Sequence, residues 1–470
     1  MSKGLKLKVL DLRSQEVTSK IKLVTAREVL TPNGPAIETT VLTENGACGT
    51  NVVMTGRSTG KNEPIFLYDG GKRYRGRGVL KAVANVNKII APALKGMEIT
   101  EQRKIDETMM SLDGTTTKSG LGVNSIASVS GAAFKAAANS LGIPLYKYIG
   151  GDDAYVLPVP HITGVTGSRR YGGGERGGGK PLYDFVLYGF KSVSEAICAG
   201  QEIQKEIQKI LRARFSTLNL RELVTPAYRF FKNRLHVRKL HPDFCKGFLG
   251  LEPAAYGTIP KGKIEHDRQI LEAMAIAISN TGYDKKVGIM VDVAAGCFYD
   301  RKKRKFIGLF SKKDKSREDL IDIYEHMVAA YPVVVLEDPL DEQDYEGHAY
   351  LTKKLGIEIV GDDIFAMNAK LLKKGIETGA CNAIQLRINQ NGTISETLDT
   401  VKYAYRNKYK VLPCGSRGEG VDIVDYAVGL CTGQLKGGGI GENASRLLQI
   451  EEELGSRAKF LGEAGIIPKK

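Results

Sequence analysis

Apolar and polar residues alternate over residues 20 to 56: Ile21, Leu23 and Thr25 are followed by Val41 to Thr43 and by Val52 to Met54. A period of two marks a half-buried strand, and Thr31-Pro-Asn-Gly-Pro35 supplies turn chemistry that folds such strands back on one another. The pattern predicts an antiparallel meander. Beyond it the period changes to threes and fours. Val79, Val83, Val86 and Ile90 mark a helix, and the Ala- and Ser-rich run from Asn124 to Leu141 reads as a small-residue buried helix stopped by Leu141-Gly-Ile-Pro144. Strands followed by helices make residues 1–150 an α+β unit.

From Val156 onward short apolar runs alternate with helical stretches: Val186 to Leu187, Ile289 to Val293, Val333 to Leu336, Ile357 to Val360, Ala383 to Ile388 and Lys410 to Pro413. This is the β/α rhythm of a barrel or an open parallel sheet, and it makes 151–470 a second domain. Three of the runs end in acid, at Asp292, Glu337-Asp338 and Asp362-Asp363. The C-terminal ends of parallel strands open on one face, so the fold itself brings these carboxylates together. Three converging oxygen ligands suit a hard cation such as Mg²⁺. The plainer alternative, that each acid caps the next helix, explains any one of them but not all three equally well.

Read with Arg57-Ser-Thr-Gly60, Ile90-Ala-Pro-Ala-Leu94, Ser125 to Lys135, Ile143-Pro-Leu-Tyr146, Leu157-Pro-Val-Pro160, Val291-Asp-Val-Ala-Ala295, Leu336-Glu-Asp-Pro339, Gly361-Asp-Asp363, Leu430-Cys-Thr-Gly-Gln434 and Ile450-Glu-Glu-Glu-Leu-Gly455, the strand ends closely resemble enolase. The resemblance runs from about residue 20 to 460 in the expected order. It implies an α/β fold, with an α+β amino-terminal domain before a (β/α)8-type barrel, and the dehydration of 2-phosphoglycerate to phosphoenolpyruvate with Mg²⁺. On this resemblance Asp292, Glu337 and Asp362 match the metal ligands, Ser58 matches a mobile loop that closes with a second ion, and Lys436 matches the lysine that contacts the substrate carboxylate.

The residues that would move the proton depart from the family. Arg387, in Gln385-Leu-Arg-Ile-Asn-Gln-Asn-Gly392, stands where the family has its general-base lysine. With a pKa near about 13.8, an arginine is neutral in about one molecule in 10⁷ at pH 7, so Arg387 binds charge but does not abstract a proton. Glu252 in Gly250-Leu-Glu-Pro matches the proton donor, with Leu251 in place of its acidic neighbour. Asp184 matches a longer glutamate. Arg176 matches the loop histidine, within Gly173-Gly-Glu-Arg-Gly-Gly-Gly-Lys180, and Arg417 in Cys414-Gly-Ser-Arg417 matches a phosphate ligand. Several replacements in groups that act as a unit predict a catalytically impaired homologue, a pseudoenzyme serving as a structural or binding component. The alternatives are an active phosphopyruvate hydratase whose base comes from another residue, and a nucleic-acid-binding protein on the same fold.

Composition sharpens the partner question. The 470 residues are 42% hydrophobic and 26% charged, as in a folded protein, and no apolar stretch is long enough to span a bilayer. The start lacks the apolar core of a secretory signal, and the seven cysteines include no C-x-x-C. The expectation is therefore a cytoplasmic protein of a reducing compartment, free or on the cytoskeleton, with no zinc site. The net charge of +15 is concentrated in two segments of +8 each, residues 205–247 and 301–317, and the remainder is about neutral. The first segment, an insertion relative to the family, interleaves its basic residues with Phe215, Tyr228, Phe230, Phe231 and Phe244. Such faces suit an acidic protein surface, such as a microtubule or other filament, or nucleic acid, beside a phosphorylated small ligand; a solvated surface is the plainer reading. Thr31-Pro-Asn-Gly-Pro35 lacks an arginine and Gly437-Gly-Gly-Ile-Gly-Glu-Asn443 is shorter than in the family, which puts the family's homodimer in doubt.

Overall fold

The computed structural model describes residues 19–31, 33–56, 60–167, 171–174, 179–215, 257–258 and 262–467. Ser58, Arg176, Glu252 and the insertion beyond residue 215 lie outside the described residues.

The meander is present as β1 (Ile21–Thr31), β2 (Gly34–Thr43) and β3 (Cys48–Val53), antiparallel in that order. Ile21, Ile37, Val41 and Val53 are in the core, but an irregularity between Ile21 and Leu23 shifts β1 by one, so that Val24 is buried and Leu23, expected to share the face of Ile21, is exposed. The turns after Val79 pass through a π-helical segment, Val86–Ile90, that keeps Val79, Val86 and Ile90 buried. Next come α1 (Gln102–Asp113) and α2 (Val123–Ser140), the small-residue helix expected from composition. The small residues permit close approach to the sheet. A Cβ on Gly49 of β3 would strike the α2 backbone at Ala132 and Ala136, and one on Gly131 would strike the Asn51 side chain.

The second domain begins with β4 (Val159–Thr166), β5 (Leu182–Val186), α3 (Val193–Phe215) and α4 (Arg268–Asn280). After β6 (Gly288–Asp292) comes a small hairpin, β7 (Tyr299–Asp300) with β8 (Lys305–Phe306). The chain then alternates α5 (Arg317–Ala330), β9 (Val333–Glu337), α6 (Tyr345–Leu355), β10 (Glu358–Gly361), α7 (Ala369–Thr378), β11 (Ala383–Leu386), α8 (Ile394–Arg406), β12 (Lys410–Pro413), α9 (Asp422–Gly429), β13 (Gln434–Leu435) and α10 (Gly441–Leu454). The strand order is β12-β11-β10-β9-β6-β5-β4-β13, and a parallel bridge between Cys414 and Lys436 joins the two ends into a barrel.

One strand breaks the β/α regularity. β5 runs antiparallel to both β4 and β6, with Leu182 opposite Asp292 and Asp184 opposite Met290. The expected run at Val186 to Leu187 is only its end, because Asp184 interrupts the apolar signal. Inside the barrel Val159, Val186, Met290, Val335, Val360, Ala383 and Leu412 form their own apolar cluster. This plug stabilises the barrel by about 1.5–3 kcal/mol per fully buried side chain. Two residues farther toward the mouth, strand periodicity puts His161, Asp184, Asp292, Glu337, Asp362, Gln385 and Cys414 on the same inner face.

The amino-terminal domain is tied to the barrel by hydrogen bonds. Asn51 Nδ2 donates to Asn389 Oδ1 (3.1 Å), Asn389 Nδ2 donates to the Val52 carbonyl (3.1 Å), and Met54 N donates to the Arg417 carbonyl (3.0 Å). The buried carboxylate of Asp106 accepts from Ser130 Oγ (2.6 Å) and from Ser395 N at the start of α8 (2.9 Å). Among the described residues no helix is long and apolar enough to cross a membrane.

Candidate active site

The acidic side of the mouth is made by three neighbouring strands. Asp292 ends β6, Glu337 ends β9 and Asp362 follows β10, and all three are at most 3% exposed. Carboxylate oxygens of Glu337, Asp338 and Asp362 lie within 4.8 Å of one another. Asp338 is fixed by accepting the backbone N–H groups of Asp362 (3.1 Å) and Asp363 (2.8 Å). Burial, together with Asp363, Asp362 and Glu337, drives its pKa well up. Asp292 joins the group through Lys436, whose Nζ is hydrogen-bonded to Asp292 Oδ2 and to Glu337 Oε2 (2.6 Å). Asp292 Oδ1 and Glu337 Oε1 are buried without a hydrogen bond among the described residues. Buried carboxylate oxygens left over in an all-oxygen site fit a hard divalent cation, and the group close enough to hold one is Glu337, Asp338 and Asp362, with Asp292 beside it.

Three cations face these acids. Arg387 is 4% exposed and turned toward them: its Nε lies 2.9 and 3.0 Å from the Asp362 oxygens, its Nη2 also bonds Asp362, and its Nη1 bonds Ser416 Oγ. Burial pushes Asp362 up, but the guanidinium outweighs it and holds the carboxyl at about 2. Arg387 itself is driven well above its ordinary value, burial being overridden chiefly by Asp362. It is a fixed charge and not a proton acceptor, as its chemistry predicts. Lys436 is also raised: burial lowers it, but Glu337, Cys414 and Asp184 together outweigh burial.

The third cation is one that sequence reasoning left without a role. Lys180 is 7% exposed, and its Nζ is hydrogen-bonded to Asp292 Oδ2, the oxygen that Lys436 also contacts. Burial and the neighbouring Lys436 pull its pKa down to about 8. Its location follows from the reversal of β5. An antiparallel strand starts at the end where its parallel neighbours finish, so the residues leading into β5 stand at the mouth beside Asp292. The available signal was the lysine closing a glycine-rich loop four residues before Asp184. His161 was missed as well. It is fully buried on β4, neither ring nitrogen is hydrogen-bonded among the described residues, and burial with Lys436 nearby lowers it to about 3.

Among the other expected residues, Asp184 is fully buried and its pKa is raised, mainly by burial. Arg417 is at the mouth, where its Nη2 donates to Glu63 Oε1 (2.6 Å). Glu63 also accepts from Gly60 N (3.0 Å), which links Arg417 to the segment following Ser58.

The glycine-rich loop is held on its outer side. Tyr171 and Tyr183 both donate to Asp267, at 2.8 and 2.6 Å, and Gly167 N donates to the Pro181 carbonyl (2.7 Å). A Cβ on Gly308, past the basic hairpin, would strike the Gly172 carbonyl; one on Gly173 would strike that of Ile307. Both glycines have positive φ, so backbone packs on backbone where no other residue fits.

Comparison with known proteins agrees with this geometry. The family model for the enolase N-terminal domain matches residues 21–149, and that for the enolase C-terminal TIM barrel domain matches residues 256–468. Curated relatives named Enolase include that of Methanocaldococcus jannaschii, 38% identical over 453 residues, covering 94% of this chain and 97% of the relative. The enolase of Thermococcus gammatolerans is 39% identical over 458 residues and that of Methanopyrus kandleri 38% over 456, with the same coverage. These near-full-length matches overturn the expectation of a catalytically impaired binding component.

Proposed function

Because the chain belongs to the enolase family, we propose that it is a phosphopyruvate hydratase, converting 2-phosphoglycerate to phosphoenolpyruvate in the cytoplasm as a step of glycolysis. The observation that carries this reading is the convergence of Asp292, Glu337 and Asp362 with Lys180, Lys436 and Arg387 at one barrel mouth. The reaction removes a proton from a carbon next to a carboxylate, which concentrates negative charge on that carboxylate. Asp292, Glu337 and Asp362 would hold a divalent cation, which would supply charge against it. Lys436 binds the substrate carboxylate, and Arg417 binds its phosphate, a task suited to a planar guanidinium. Arg387 keeps its own proton and neutralises Asp362. Lys180 Nζ and Lys436 Nζ are the amines at the cluster, each in contact with Asp292 as an ammonium group. Burial of the whole group removes water and strengthens each of these interactions.

The test is a direct assay: purified protein with 2-phosphoglycerate and saturating Mg²⁺, following the enol absorbance of phosphoenolpyruvate, beside a chelated control. Turnover that disappears on chelation is expected. Absence of product at a sensitivity of about a ten-thousandth of an ordinary enzyme rate of ~10 s⁻¹ would overturn the reading.

A further inference from the structure

We propose that Lys180 is a second substrate-contacting ammonium, gripping the carboxylate of the substrate together with Lys436. The inference rests on the hydratase reading above and assigns a residue that neither the motifs nor the family resemblance singled out.

Three observations carry it. Lys180 is buried, yet its one hydrogen-bonded partner among the described residues is Asp292, so an ammonium with three donors retains capacity for an anion. It shares Asp292 Oδ2 with Lys436, so a carboxylate within reach of one ammonium lies beside the other. Its position is also built, not incidental. β5 begins two residues later with Leu182 opposite Asp292, and the residue next to Lys180, Pro181, accepts a hydrogen bond from Gly167 N. A charged group held that firmly meets the demand for preorganisation at a site where charge develops. Arg387 cannot substitute for it, because its guanidinium is already committed to Asp362 and Ser416.

The chemistry predicts a contact that strengthens as the reaction proceeds. The substrate carboxylate gains negative charge as the α-carbon gives its proton to a base, so two ammonium groups there, neither of them that base, favour the transition state over the bound substrate. Loss of Lys180 should therefore lower kcat more than it raises KM.

The experiment compares the parent with Lys180→Met and Lys180→Ala in two measurements. In steady-state kinetics with Mg²⁺, kcat should fall by about 10²–10³-fold in both variants, and ethylammonium in the assay should restore part of the activity of Lys180→Ala. In calorimetric binding, affinity for phosphoenolpyruvate should weaken by about 10-fold, whereas affinity for isopropyl phosphate, which lacks the carboxylate, should stay within about twofold. A merely structural lysine would weaken both ligands and would not be rescued. Parent-like kcat and phosphoenolpyruvate affinity in the variants would overturn the proposal, as would equal loss of both ligands. If the parent shows no turnover, the hydratase reading fails while the two binding isotherms still decide the role of Lys180. If the parent turns over and the variants match it, Lys180 is dispensable and the hydratase reading stands.

Discussion

The two sides of the barrel mouth are assembled differently. The acids Asp292, Glu337 and Asp362 come from the ends of three adjacent parallel strands, one after another in the ring. The cations come from different kinds of place: the lead-in to an antiparallel strand for Lys180, the end of the next parallel strand for Arg387, and the closing bridge for Lys436. An acid at a strand end is placed by strand direction alone, and any parallel barrel repeats that placement. A cation from a loop or a reversed strand can be moved to another element while the charge at the centre is kept. The acidic side of this site is thus tied to the fold, whereas the cationic side is open to rearrangement.

That contrast is broken most sharply by removing an acid. Glu337→Gln should abolish Mg²⁺ binding in calorimetry and lower turnover by at least about 10³-fold, because no other strand end can replace it. Next in size is Arg387→Met, which strands the Asp362 carboxylate in the barrel and should destabilise the protein by about 3 kcal/mol at pH 7 in urea unfolding. The sign with pH follows from the depressed Asp362 pKa. A carboxyl held at about 2 contributes stability that is fully present above its ordinary value of 3.8 and is lost as pH falls through about 2. The gap between parent and variant should therefore close on acidification over that window.

A smaller effect is expected at the outer support of the glycine-rich loop. Gly308→Val forces a side chain into the Gly172 carbonyl at positive φ and should cost about 2 kcal/mol. If the loop delivers Lys180, kcat should fall with little change in Mg²⁺ affinity; an equal loss of both would erase the distinction between the two sides. Smallest is Asn51→Ala, which removes one hydrogen bond between the domains and should cost about 1 kcal/mol in the same unfolding assay.

Much of this arrangement was legible from residue order. Period-two alternation located the meander, the Ala- and Ser-rich run located α2, and acids closing apolar runs located the acidic side of the mouth, because each signal is local. The direction of β5 was not legible. A strand of five residues with Asp184 at its centre carries no mark of orientation, and without orientation Lys180 reads as the last residue of a flexible loop. His161 sits in an apolar run whose inward face is settled only when the barrel closes. Arg387 was read correctly as a group that keeps its proton. The conclusion drawn from it, an impaired homologue, is overturned by the near-full-length matches to relatives named Enolase.

The hydrogen bonds from Asn51, Val52 and Met54 to Asn389 and Arg417 bear on how such a protein can change. A barrel separated from its amino-terminal sheet would keep every carboxylate and lysine at the mouth, but the loops bearing Asn389 and Arg417 would lose their brace. The edge of β3 therefore acts on the mouth at a distance, through the loops it braces.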